Sequence, residues 1–221
     1  MGKLIVIEGL DGSGKSTQEN MLCERLENSG INVNKIKLPN YDDEACILVK
    51  QYLAGRFGDK PSDVNAYAAS SFYAVDRFVS YNCYWKEKYL NGEIFLADRY
   101  TTSNAYHQLT KVDRKDWDFY LDWLEDFEYV KMGIPKPDAV IFLDMPVEVS
   151  QKLMSERYKG DESKKDIHEK DTDYLSQCRI AADYACEKLG WKRVVCAKNN
   201  KPLSINEISD IVFDSVISLL K

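Results

Sequence analysis

No stretch of this 221-residue sequence is long and apolar enough to span a bilayer, which takes ~18 apolar residues in a row. The opening Met1–Glu8 run is too short for the apolar core of a secretory signal and leads straight into glycines, so a cytoplasmic protein with no membrane partner is expected. Histidine is scarce, with only His107 and His168, and the six cysteines form no CxxC pair. That pattern speaks against a structural zinc site and for reduced thiols. Positive charge is also short: 30 Lys and Arg against 36 Asp and Glu leave a net charge of −6, which argues against nucleic acid or an anionic membrane as partner. An anionic ligand would have to be drawn in locally, against the overall field. Internal repeats, low-complexity tracts and domain linkers are missing too, and the length suits a single domain over residues 1–221.

What is present is alternation. Short apolar runs at Lys3–Glu8, Asn34–Leu38, Glu93–Ala97, Ala139–Leu143 and Arg193–Cys196 read as strands. Helical patterns fall between them. Ser16–Ser29 is closed by Gly30, and a second helix carries Ile47, Leu48 and Leu53. A long one starts at Pro61 and Ser62 and runs through Arg77 toward Leu90. Arg114–Lys131 places Trp117, Leu121, Leu124 and Phe127 in phase. Glu148–Arg157 and Thr172–Leu189, closed by Gly190, follow, and Ser204 with Glu207 has the spacing of a capping box opening a last helix. The alternation predicts an α/β fold: a five-stranded parallel sheet with helices on both faces. Charged residues crowd Tyr158–Lys170, and a mobile lid is expected at about 157–171.

Gly9-Leu10-Asp11-Gly12-Ser13-Gly14-Lys15-Ser16-Thr17 fits GxxxxGK[ST] between an apolar strand and a helix, the context its mechanism demands. Glycines let successive backbone N–H groups converge on one anion, and the helix N-terminus adds its dipole. Lys15 would reach the outer phosphates of a nucleoside triphosphate and the Ser16 hydroxyl would hold Mg²⁺. Gly9, Gly12, Ser13, Gly14 and Thr17 complete the cradle.

Nucleotide switches and phosphotransferases both use such a cradle. A switch normally carries an NKxD base-reading segment and a separate DxxG; Asn34-Lys35-Ile36-Lys37 and Asn200-Lys201-Pro202-Leu203 both lack the aspartate, and Asp11 to Gly14 lies inside the cradle itself. A kinase needs a second anionic site facing the donor phosphate and a cover against water. Asp98-Arg99-Tyr100 follows the third strand, at the edge of the sheet where ligands bind. Arg99 could grip an acceptor phosphate with its fork, and Asp98 could orient Mg²⁺-bound water. Tyr73 and Arg77 are one helical turn apart, so a ring and a guanidinium share a face fit to sandwich a base, with Phe72 beside them.

Together these segments resemble the thymidylate kinase family of nucleoside-monophosphate kinases. Ile7–Thr17 looks like its opening, Asp98-Arg99-Tyr100-Thr101-Thr102-Ser103-Asn104 resembles its DR(Y/F)xxS signature, and Phe72-Tyr73-Ala74-Val75-Asp76-Arg77 and Pro137–Pro146 are similar to further segments. The resemblance implies transfer of phosphate from ATP to dTMP, with Mg²⁺. Asp11 would orient the acceptor or the metal, and Arg99 would bind the dTMP phosphate. Tyr73 would stack on thymine, Arg77 would bond the base, and Ser103, Asn104 and Gln108 would line its edge. It also implies a homodimer, for which the long helix offers a contact surface. Three departures stand out. Leu38-Pro39-Asn40-Tyr41 replaces a segment that commonly holds an arginine, which leaves Pro39 and Tyr41 at the acceptor. Tyr106 comes one residue early, so that His107 takes the place of a tyrosine that helps reject ribonucleotides. Gly12 sits where some members carry a catalytic arginine, so the cation must come from the lid, where Arg157 is the one arginine and Lys159, Lys164, Lys165 and Lys170 are point charges. A nucleoside kinase, with Asp98 or Glu8 as base, is the alternative, and a non-catalytic switch a remoter one. The adenine pocket is placed at Lys198–Lys201 from topology.

Overall fold

Between Lys3 and Glu8 the run Leu-Ile-Val-Ile offers no polar face. In the computed structural model, which describes residues 1–157, 161 and 172–220, this run forms the central strand β1 (Lys3–Gly9). Its side chains alternate between two buried faces. Leu4 and Val6 pack with Tyr81, Trp85, Tyr89 and Phe95, and Ile5 and Ile7 pack with Leu22, Leu26, Ile141 and Val212.

After β1 come α1 (Lys15–Asn28), β2 (Val33–Lys37), α2 (Ile47–Leu53), α3 (Ala66–Ser80), α4 (Lys86–Leu90), β3 (Ile94–Asp98), α5 (Thr101–His107) and α6 (Trp117–Glu125). The chain continues through β4 (Ala139–Asp144), α7 (Val147–Arg157), α8 (Thr172–Leu189) and β5 (Lys192–Val195). It closes with a hairpin of β6 (Ala197–Lys198) and β7 (Lys201–Pro202), then α9 (Ile205–Leu220). The sheet order is β2-β3-β1-β4-β5 with every neighbour parallel. Leu22 and Leu26 of α1 and Ile208, Val212 and Val216 of α9 cover one face, while Tyr81, Trp85 and Tyr89 cover the other. A third apolar cluster joins α5, α6 and α8 through Tyr106, Leu121, Leu124, Cys178 and Ala182. The register places Ile7 opposite Asp98, so the carboxyl ends of β1 and β3 deliver the phosphate loop and Arg99 side by side.

Two helices differ from the sequence expectation. Pro61–Asp63 makes one tight turn only, and α3 starts at Ala66, because Asn65 in an extended conformation caps it by accepting from the Ala68 N–H at 2.9 Å. The long helix does continue to Leu90, through a widened π turn at Tyr81–Trp85. The helical pattern at Arg114–Lys131 resolves into a short turn, α6, and a second π turn at Asp126–Lys131 that carries the fully buried Glu128. All six cysteines are free thiols. Among the described residues no helix is long and apolar enough to cross a membrane. The lid expected at about 157–171 falls on residues 158–160 and 162–171, which lie outside the described residues, as does the side chain of Arg157.

Candidate active site

The phosphate loop is pressed against α7. A Cβ on Gly12 would stand 2.6 Å from the Ser150 carbonyl oxygen and 2.8 Å from Met154 Cγ, and the backbone there has φ 76°. Gly14 precedes α1 in the left-handed region and provides no side-chain cap, which leaves the first-turn N–H groups to an incoming anion. Lys15 Nζ is folded back onto the loop, donating to the carbonyls of Gly9 and Leu10 at 3.0 Å each. Burial, and then the nearby charge of Arg99, push its pKa down to about 8. Ser16 Oγ donates to Asp98 Oδ2 at 3.0 Å. Asp98 Oδ1 and Ser13 Oγ are buried without a hydrogen-bond partner among the described residues.

Arg99 lies just past β3 on a left-handed backbone, φ 69°. Its Nη2 donates to Asp11 Oδ1, and its Nη1 donates to Ser103 Oγ at 3.2 Å and Tyr106 OH at 3.0 Å. Burial alone would lower the guanidinium pKa, but Asp11, Tyr106 and Glu8 more than offset it and keep Arg99 charged.

Arg77 of α3 is 3% exposed and forked onto Glu128, with Nε to Oε2 at 2.6 Å and Nη2 to Oε1 at 2.5 Å. Thr101 Oγ1 and Asn104 Nδ2 also donate to Glu128, at 2.8 and 3.4 Å. One residue before Arg77, buried Asp76 accepts from the backbone N–H of Asn40 and so ties the Pro39–Tyr41 segment to α3.

Two clefts meet here. The larger, about 700 Å³, runs from the phosphate loop past Asp98 to Pro202, Leu203 and Ile205. The smaller, about 80 Å³, is lined by Tyr73, Arg77, Ser103, Asn104, His107 and Gln108, among others. Leu38, Pro39, Tyr41, Asp11 and Arg99 belong to both walls. A ligand on the loop and a ligand against Tyr73 would therefore face one another across Asp11 and Arg99.

A family model described as thymidylate kinase matches residues 7–208. The chain belongs to the thymidylate kinase family. A thymidylate kinase of Mycobacterium tuberculosis is 29% identical over 185 residues, covering 82% of this chain and 84% of that one. A probable thymidylate kinase of Saccharolobus solfataricus is 32% identical over 187 residues, covering 83% and 86%. A solved thymidylate kinase from Candida albicans superposes with a TM-score of 0.69 at 21% identity, over 98% of this chain and 92% of that one, and carries the comparison of fold.

Within this thymidylate kinase fold, the expected cradle residues run from Gly9 at the end of β1 through the loop to Lys15, Ser16 and Thr17 in the first turn of α1, and Gly12 through Thr17 line the larger cleft. Tyr73, Arg77, Arg99, Ser103, Asn104, Gln108, Pro39 and Tyr41 line the smaller one. Phe72 does not line it; its ring packs against Phe57 at 5.5 Å and Tyr52 at 6.3 Å. Lys198–Lys201 forms the hairpin, and the cleft wall is made by the apolar residues just after it, Leu203 and Ile205. His107 lines the smaller cleft, while Tyr106 is wholly buried. Sequence reasoning found no role for Glu128 and considered Glu8 only as a base. Neither could be assigned without knowing which distant segments fold against them.

Proposed function

We propose that this chain transfers the γ-phosphate of ATP to dTMP, giving dTDP and ADP. The observation that carries the reading is the shared wall of the two clefts. Asp11 and Arg99 stand where a donor phosphate on the loop and an acceptor phosphate below Tyr73 would come together.

A phosphomonoester acceptor is ionised near neutral pH, so the chemistry needs alignment and charge neutralisation rather than a strong base. Lys15 exchanges its contacts with Gly9 and Leu10 for the β- and γ-phosphates. Arg99 turns from Asp11 to the acceptor phosphate. Ser16 Oγ and Asp98 are suited to Mg²⁺: an oxygen pair at the loop, one carboxylate oxygen still unpartnered, fits an ion held by phosphates and water rather than by a protein cage. Held by Ser16 and Asp98, Mg²⁺ would supply neutralisation of charge on the donor phosphates. The base sits between Tyr73 and the polar edge of Arg77, Asn104 and Gln108. Gln108 Oε1 is buried without a partner among the described residues and suits the N3–H of a pyrimidine. Arg157 supplies the lid cation to the transferring group.

The protein acts as one cytoplasmic domain and as a homodimer through α3, whose Val75 and Phe78 are exposed one turn apart. The test is a coupled ADP-release assay with ATP and dTMP beside Lys15→Ala. Turnover in the wild type, falling below about a tenth in the variant, is expected. No ADP release with dTMP contradicts the reading.

A further inference from the structure

Glu8, the last buried side chain of β1 before the phosphate loop, lines neither cleft and is 0% exposed. A carboxylate there is costly unless its oxygens are fully hydrogen-bonded. They are. Oε1 accepts from the Tyr100 backbone N–H at 3.2 Å and Thr102 Oγ1 at 2.6 Å, Oε2 accepts from Tyr106 OH at 2.8 Å, and Ser103 Oγ lies 2.9 Å from both. No lysine or arginine forms an ion pair with it among the described residues. Every contact is with a neutral donor.

The two hydroxyls that Glu8 shares with Arg99 give this arrangement a direction. A hydroxyl has one proton. When Ser103 and Tyr106 donate theirs to the carboxylate, their lone pairs are left to face Arg99 Nη1, at 3.2 and 3.0 Å. Ionised Glu8 thereby turns the Ser103 hydroxyl into an acceptor on the side of the guanidinium, and does the same for Tyr106 together with the Gly9 carbonyl, which lies 3.1 Å from the Tyr106 OH. The carboxylate also holds the Tyr100 N–H, the first backbone donor after Arg99, and Arg99 occupies a left-handed conformation that is uncommon for a non-glycine residue. With Nη1 held by these two oxygens and 3.4 Å from His107 Nε2, Nη2 is presented toward Asp11 and the joint of the two clefts.

We propose that Glu8 is a positioning residue that aims Arg99 at the acceptor phosphate, by keeping the Ser103 and Tyr106 hydroxyls turned as acceptors and by pinning the turn on which Arg99 sits. This rests on the reading of Arg99 as the acceptor-phosphate ligand. Glu8 is not a base: its oxygens are filled by donors and do not reach either cleft. Glu8→Gln keeps the shape but puts an amide donor against the two hydroxyls, where it competes with Arg99 for their lone pairs even if Tyr106 keeps its bond to the Gly9 carbonyl, and Arg99 loses its alignment.

The experiment is calorimetric binding of dTMP and of thymidine, which lacks the phosphate, to the full-length protein. Wild type, Glu8→Gln, Ser103→Ala, Tyr106→Phe and the Glu8→Gln/Tyr106→Phe double variant are compared, with ATP affinity as control. Glu8→Gln is expected to weaken dTMP by roughly tenfold while thymidine and ATP change by less than about twofold. The double variant should be no worse than Glu8→Gln alone, because both changes act through the same hydroxyl. Should Glu8→Gln fold poorly, Tyr106→Phe, which leaves the carboxylate in place and lines neither cleft, must show the same dTMP-selective loss. Equal weakening of dTMP and thymidine makes the residue merely structural and overturns the proposal. So does undiminished dTMP binding in the variants. If the wild type itself fails to bind dTMP, the functional reading fails and this inference fails with it; if the wild type binds and the variants bind equally well, the inference alone fails.

Discussion

Arg77 and Glu128, 51 residues apart in sequence, form a forked ion pair in which Glu128 is fully buried and Arg77 is 3% exposed, at the wall of the smaller cleft. The pair joins α3 to the π turn after α6, and Thr101 at the start of α5 donates into the same carboxylate. Burial alone would lower the Arg77 pKa, and Glu128 reverses that and holds the guanidinium charged. The arginine in the wall of the smaller cleft is thus fixed by a partner that does not itself line the cleft.

Glu128→Ala is therefore expected to destabilise the fold by about 3–5 kcal/mol, since it strands a buried cation. Urea denaturation measures it. A loss below about 1 kcal/mol would mean that Arg77 finds water or another acceptor on its own.

Lys15 gives the pH dependence of donor binding. Unliganded, it loses its proton at about 8, and triphosphate favours the protonated form. Above that pH, binding must take up a proton, so ATP affinity should fall by up to about tenfold per pH unit; below it, affinity should be flat in this respect. Calorimetry at pH 7, 8 and 9 reads this directly, and Lys15→Met should remove the slope. A wild-type affinity that does not fall between pH 8 and 9 would show that the buried ammonium stays protonated.

Gly12 is closed to side chains by α7. Gly12→Ala should cost about 1–2 kcal/mol in backbone conformation alone, and the approach to the Ser150 carbonyl adds to it. For a chain of this size the melting temperature should fall by at least about 2–4 °C, with weaker ATP binding. An unchanged melting temperature would mean that the loop and α7 separate readily, and an arginine could then be accommodated there.

With position 12 closed, Arg157→Ala should lower kcat by roughly a hundredfold while leaving dTMP affinity nearly unchanged. Substituting Lys164 and Lys165 together should be milder, since they act as point charges that can replace one another. An active Arg157→Ala beside an inactive double-lysine variant assigns the cation to the lysines.

The legible parts of the chain were those in which neighbours in sequence are neighbours in space. The run from Leu4 to Thr17 announces a buried strand, a glycine turn and a helix N-terminus within fourteen consecutive positions, and the structure builds all three there. Tyr73 and Arg77 share a helical face by spacing alone. Glu128 could not be read, because its partner lies on another helix and the π turn that turns it inward breaks the helical periodicity. Helix α5 was missed because Thr-Thr-Ser-Asn is a poor helix former in isolation; four of its side chains are held by tertiary contacts, with Thr102 and Ser103 on Glu8 and Thr101 and Asn104 on Glu128. Phe72 was misleading for a similar reason: adjacency to Tyr73 says nothing about which ring turns toward the aromatic cluster of Phe57 and Tyr52.

The most direct test of the central claim is the ratio of kcat/KM for dTMP over thymidine, measured by ADP release with saturating ATP. If Arg99 exists to hold an acceptor phosphate, the ratio should exceed roughly a thousand, and Arg99→Lys should lower it by losing the fork. Thymidine equal to or better than dTMP would contradict the account and make the protein a nucleoside kinase.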